Sequence, residues 1–171
     1  MKNIIIGFSK PRKFSIHGFI IEKVDGAPFD HAYLRFNLEK IERNIVFQSI
    51  AVGVQLVSEP EFEGLCTPVE EYQLQISDDQ FICMLQFCFD KAGKPYGLLD
   101  TIGMGISRLL CRLGIKKKNP FYEGDANYFC SQIIAQCLDN IDPADFKLDA
   151  DNTSPMDLRN LLQQLKIQQV L

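Results

Sequence analysis

The sequence predicts an α+β fold, and three observations carry that assignment. Strand-like runs cluster early in the chain and helical runs cluster late, instead of alternating. Residues of the apolar class make up 46% of the 171, and 13 of them are Phe, enough to build a core. No repeat, low-complexity segment or Gly/Ser/Pro-rich linker divides the chain, so a single domain over residues 1–171 is expected.

The elements follow in order. The run NIIIGFS (Asn3 to Ser9) is β-branched and stops at a proline, as a strand does. FSIHGFIIEKVDG puts Phe14, His17, Ile20, Ile21 and Val24 at helical spacing and closes at Gly26. DHAYLRFNL alternates and predicts a strand. NLEKIERN is polar and of hairpin length. It leads to NIVFQSIAVGVQLVS, a strand or strand pair with a kink at Gly53. DDQFICMLQFCFDKAGK predicts a helix from Asp78 or Asp79 to near Gly93. LDTIGMGISRLLCRLG predicts another, weakened by Gly103 and Gly105. NYFCSQIIAQCLDN predicts a third, capped by Asn127. SPMDLRNLLQQLK predicts the last, with Ser154 as cap, Pro155 at the first position and Asp157 completing the box.

Charge and cysteine content exclude several functions. A net charge of -4 and a pI near 5.2 argue against a nucleic-acid surface, which needs a basic footprint. The basic run Lys116 to Lys118 is short and fits a solvated loop. No apolar run approaches the roughly 20 residues of a membrane span. The start of the chain lacks the apolar core and cleavage site of a signal peptide, so a cytoplasmic setting is expected. Cys83, Cys88, Cys111 and Cys137 sit in apolar stretches, where a free thiol behaves as a small hydrophobe. With no CxxC pair and two histidines, zinc ligation is disfavoured.

Three of the remaining residues stand out. Cys130 falls in the first turn of its helix, where unpaired amides and the dipole favour the thiolate. It also begins the stripe Cys130, Ile133, Ile134, Cys137, Leu138, which is equally the mark of core packing. His31 shares a strand face with Tyr33 and Arg35, and a strand histidine is commonly just a hydrogen-bonded core residue. His17 lies on an apolar helical stripe and suits the core better. Gln48 is mid-strand among apolar residues and needs a partner, because burying an unpaired amide costs a few kcal/mol, on the order of 1–3. If the hairpin turns near Lys40, Gln48 lies beside His31.

Taken in order, GAPFDHAYLRF, NIVFQSIAVGVQLVSEPEF, KAGKPYGLLD, YFCSQIIAQCL and SPMDLRNLL resemble the circularly permuted papain-like cysteine hydrolases of the NlpC type, the branch that includes YiiX-like peptidases or amidases. The resemblance implies Cys130 as nucleophile, His31 as general base, Gln48 as the orienting residue and Tyr96 as an oxyanion donor. It implies acyl transfer through a thioester, no metal or organic cofactor, and a peptide, amide or acyl-ester substrate such as cell-wall peptide. Gln48 departs from the pattern, since relatives often carry Glu there. The segment of residues 98–126 is an insertion the resemblance does not cover. Two rivals follow from the same residues. One is a lipid-directed thioesterase or acyltransferase with an apolar groove near Leu98 to Leu113. The other is an idle binding or assembly protein, virion-associated if the chain comes from a phage.

Overall fold

The computed structural model describes residues 1–12, 26–97, 128–142, 146 and 148–171, with positions 103, 110 and 114. Apart from positions 26, 103, 110 and 114, the helices expected over residues 14–26 and 99–114 lie outside the described residues, as does Asn127. So do His17, Cys111 and the basic run.

Six strands form one sheet in the order β4-β3-β2-β1-β5-β6, with antiparallel neighbours throughout. They are β1 (Lys2–Pro11), β2 (His31–Leu38), β3 (Arg43–Ile50), β4 (Gly53–Ser58), β5 (Cys66–Ile76) and β6 (Gln168–Gln169). Among the described residues these α-helices accompany them: α1 (Glu59–Leu65), α2 (Asp78–Lys91), α3 (Cys130–Ile141) and α4 (Pro155–Gln164). The mixed α+β class is as expected. Among the described residues no helix is long and apolar enough to cross a membrane.

Strand alternation divides the side chains between two faces. Ile4, Ile6 and Phe8 of β1, Ala32, Leu34 and Phe36 of β2 and Phe47 of β3 pack on one face. Met84 and Cys88 of α2, Ile133, Ile134, Cys137 and Leu138 of α3, and Leu158 and Leu162 of α4 complete that core. On the other face Tyr33, Val46 and Cys66 gather beneath Phe62 of α1.

Local chemistry explains the ends of the elements. Ser77 caps α2, its hydroxyl accepting from the Gln80 amide at 3.1 Å while Gln80 Oε1 accepts from the Ser77 amide at 3.0 Å. Ser154 and Asp157 build the same box on α4. The expected kink at Gly53 is a two-residue turn between β3 and β4. Gly53 has φ +115, and a Cβ there would stand 2.6 Å from Lys94 O, so the turn after α2 closes onto the start of β4.

Beyond quoting residues 59–62 at the end of one motif, the sequence reading assigns no element to residues 59–77, where the structure places α1 and β5. The period-two pattern of β5 is clean only over Tyr72, Leu74 and Ile76. Pro68 and the adjacent Glu70 and Glu71 mask its first half. Pro68 is accommodated because the β1–β5 register shifts between Phe8 and Ser9.

Candidate active site

The β2–β3 hairpin sets the first half of the site. Its register pairs Tyr33 with Gln48, which puts Gln48 diagonal to His31 on the same face. The two side chains meet: His31 Nε2 lies 3.1 Å from Gln48 Oε1. A carbonyl oxygen only accepts, so Nε2 carries the proton and Nδ1 is the basic nitrogen. Both residues are buried, His31 at 8% exposure and Gln48 at 0%. Gln48 Nε2 is buried and, among the described residues, has no hydrogen-bond partner.

Cys130 supplies the second half, as the first residue of α3. Phe129 stands at the N-cap in place of the expected Asn127, because the helix begins only at Cys130, and its amide donates to Gln132 Oε1 at 3.3 Å. The stripe beginning at Cys130 is indeed core, and the thiol stands at its edge with 3% exposure. Its Sγ lies 4.0 Å from Asp30 O, and the Ala32 amide also reaches it. The thiol thus rests against the peptide units on both sides of His31. Its own hydrogen bonds run to backbone, and the imidazole's runs to Gln48. Among the described residues no hydrogen bond joins thiol to imidazole. α3 packs on the core face and the imidazole on the α1 face, so the two groups come from opposite sides where β2 begins.

The electrostatics correct one expectation. Helix-start amides were expected to favour a thiolate. Burial instead pushes the Cys130 thiol up to about 11, the Ala32 amide opposing and the Asp30 carboxylate adding to the rise. The Ser131 and Cys130 amides do lower it, as reasoned, but burial outweighs them. Burial also lowers His31 to about 4 against the opposing Gln48 bond. At neutral pH the site holds a thiol and an uncharged imidazole, not an ion pair.

Tyr96 is half-buried, and its backbone pairs in parallel with Tyr128, two residues before Cys130. That brings its segment to the start of α3. Sequence reasoning missed what secures this region. Tyr128 N donates to Pro95 O at 3.1 Å, and its carbonyl accepts from Gly97 N at 3.2 Å and from Ser49 Oγ at 2.6 Å. Lys91 Nζ donates to the Tyr128 hydroxyl at 2.6 Å. Also missed was the polar cluster beside Gln48. Tyr33 donates to Glu71 Oε1 at 2.5 Å, Arg35 bridges Glu71 at 2.6 Å and Glu59 at 2.9 Å, and Asn44 reaches Glu59 at 2.8 Å. Period-two alternation marks Tyr33 and Arg35 as one face, but Glu71 is distant in sequence and gives no such signal.

No protein-family model matches this sequence, and no curated protein matches it either. A solved structure does: the metalloprotein yiiX of Escherichia coli O157:H7 superposes with a TM-score of 0.54 over 95% of this chain and 80% of that one. The two chains share a fold. Their identity of 14% extends the likeness no further than that. yiiX is described as a metalloprotein. Among the described residues of this chain, no three His, Cys, Asp or Glu side chains converge as metal ligands. A donor set for a metal is therefore not assembled there.

Proposed function

We propose that this chain is a single-domain cysteine hydrolase of the permuted papain-like type, cleaving an amide by acyl transfer through Cys130. The observation that carries the reading is the Cys130 thiol resting against the peptide units flanking His31, with the imidazole held at 3.1 Å by Gln48. The fold shared with yiiX and the order of the sequence motifs support it.

The resting site is neutral, so proton transfer accompanies attack instead of preceding it. The thiol proton passes to His31 Nδ1 as Sγ bonds to the substrate carbonyl carbon. The carbonyl oxygen becomes an oxyanion, met by the backbone amide of Cys130 at the helix start and by Tyr96. The imidazolium then protonates the leaving amine, the C–N bond breaks, and a thioester remains on Cys130. Water adds with His31 taking its proton, the acid departs and the thiol is restored. Gln48 holds the ring by Nε2, which leaves Nδ1 as the nitrogen that takes the proton. The substrate class is a peptide amide, cell-wall peptide being the proposed case, and the setting is cytoplasmic or, for a phage product, the virion.

The raised thiol favours the rival reading, an idle member of the fold. One experiment separates the two. The protein is incubated with p-nitrophenyl acyl esters and short peptide amides, quenched in acid and weighed. An adduct of acyl mass mapping to Cys130, absent in Cys130→Ala and sharply reduced in His31→Ala, is expected. Neither adduct nor turnover across the panel, from a protein whose Cys130 still alkylates, would sink the enzyme. A strong preference for long acyl chains over peptide amides would move the assignment to a lipid-directed thioesterase.

A further inference from the structure

We infer that Ser49 is a positioning residue for this site: it ties the start of the Cys130 helix to β3, the strand whose Gln48 bonds His31. The inference rests on the Cys130–His31 reading above. Successive side chains of a strand point to opposite faces. On β3 two neighbours use this directly. Gln48 points to the α1 face and bonds the His31 imidazole at 3.1 Å. Ser49 points to the core face and donates to the Tyr128 carbonyl at 2.6 Å. Both are 0% exposed, so neither bond competes with water.

The thiol and the imidazole approach from opposite faces, and no hydrogen bond between them fixes their separation at rest. One peptide unit of β3 does so in its place. From Ser49 the path runs through Tyr128 and Phe129 to Cys130, two residues beyond the bonded carbonyl. The other bonds of Tyr128 run to Lys91, Pro95 and Gly97. Among the described residues, the Ser49 bond is the one that joins Tyr128 to β3. Without it the helix start remains attached to the 95–97 segment and to the peptide units flanking His31, but loses the Ser49 bond that sets it against the strand bearing Gln48. A displacement of about 1 Å is enough to cost an attacking group much of its advantage.

The test is the rate of Cys130 alkylation by iodoacetamide at pH 7, read by peptide mass spectrometry with melting temperature recorded alongside. Native protein, His31→Ala, Ser49→Ala, the double variant and Ser49→Thr are compared. His31→Ala should slow native Cys130 at least tenfold. Ser49→Ala should slow it comparably, and adding His31→Ala should then change the rate less than twofold. Ser49→Thr, which keeps the hydroxyl, should retain the His31 dependence. A merely structural Ser49 would lower the melting temperature yet leave the His31 effect at full size, and that result overturns the inference while the reading of the site stands. If His31→Ala leaves the native rate unchanged, both fall. Should Ser49→Ala fail to fold, Ser49→Cys, a weaker donor of similar shape, replaces it with the same opposing outcomes.

Discussion

Gly7→Ala is expected to destabilise the protein by about 3 kcal/mol, with urea unfolding as the measure. Gly7 pairs with Tyr33 across β1 and β2, and the phenol ring lies over it. A Cβ would sit 2.1 Å from Tyr33 Cζ and 2.5 Å from its hydroxyl, so the ring must move. It has nowhere favourable to go. Tyr33 is fully buried, packs at 4.4 Å between centroids on Phe62, and donates to Glu71. Displacing it adds overpacking strain of roughly 1–3 kcal/mol and weakens a bond to a buried carboxylate, itself worth about 1.5–3 kcal/mol. Tyr33→Leu in the same background should absorb most of the penalty, because the ring is its cause. A cost below about 1 kcal/mol would mean that the sheet flexes at Gly7, and the account of this face would be wrong.

Gln48→Met should separate stability from reactivity. The substitution removes the bond to His31 Nε2, but also the buried Gln48 Nε2 that has no partner among the described residues. These opposing effects keep the change in stability within about 1 kcal/mol. Reactivity does not share that compensation, since the ring loses the group that fixes its tautomer and orientation. Alkylation of Cys130 at pH 7 should fall about tenfold or more, a part of the 10²–10⁴ that a positioned general base contributes. Gln48→Glu should act in the other direction on His31. A carboxylate beside the ring stabilises imidazolium, so the His31 pKa should climb from about 4, as followed by NMR titration of the ring. An unmoved His31 titration in Gln48→Glu would show that the two side chains do not meet in solution.

Much of this arrangement is legible in the sequence, for local reasons. The hairpin pattern and its length place Gln48 beside His31, and the Tyr33–Gln48 register puts it there. The capping residues mark α4, and α2 starts at Asp78 as expected, although its cap Ser77 was not read from the sequence. Long-range partners are different. Glu71, which holds Tyr33 and Arg35, stands 38 and 36 residues from them on a strand whose pattern Pro68 interrupts. Ser49 and Tyr128 are 79 residues apart, and neither is unusual in its own stretch. The state of the thiol also eluded sequence reasoning, and magnitudes say why. A helix start is worth about 0.3–1 kcal/mol to a nearby anion. A rise from 9.0 to about 11 corresponds to roughly 3 kcal/mol against it. Burial depends on how the whole chain packs, and Cys130 at 3% exposure is on its losing side.

The central claim is that Cys130 passes its proton to His31 from a neutral resting pair. The direct measurement is the rate of Cys130 alkylation from pH 5 to pH 10 in native protein and in His31→Ala. A lone thiol titrating near 11 would react about ten times faster for each pH unit gained below that value. An assisted thiol needs only the uncharged imidazole, which persists above about pH 4. The account predicts a nearly flat profile in the native protein from about pH 5 to pH 8, and a steep tenfold-per-unit slope with lower rates in His31→Ala. The same steep slope and the same rates in both proteins would contradict it, leaving Cys130 a buried packing residue at the head of its helix.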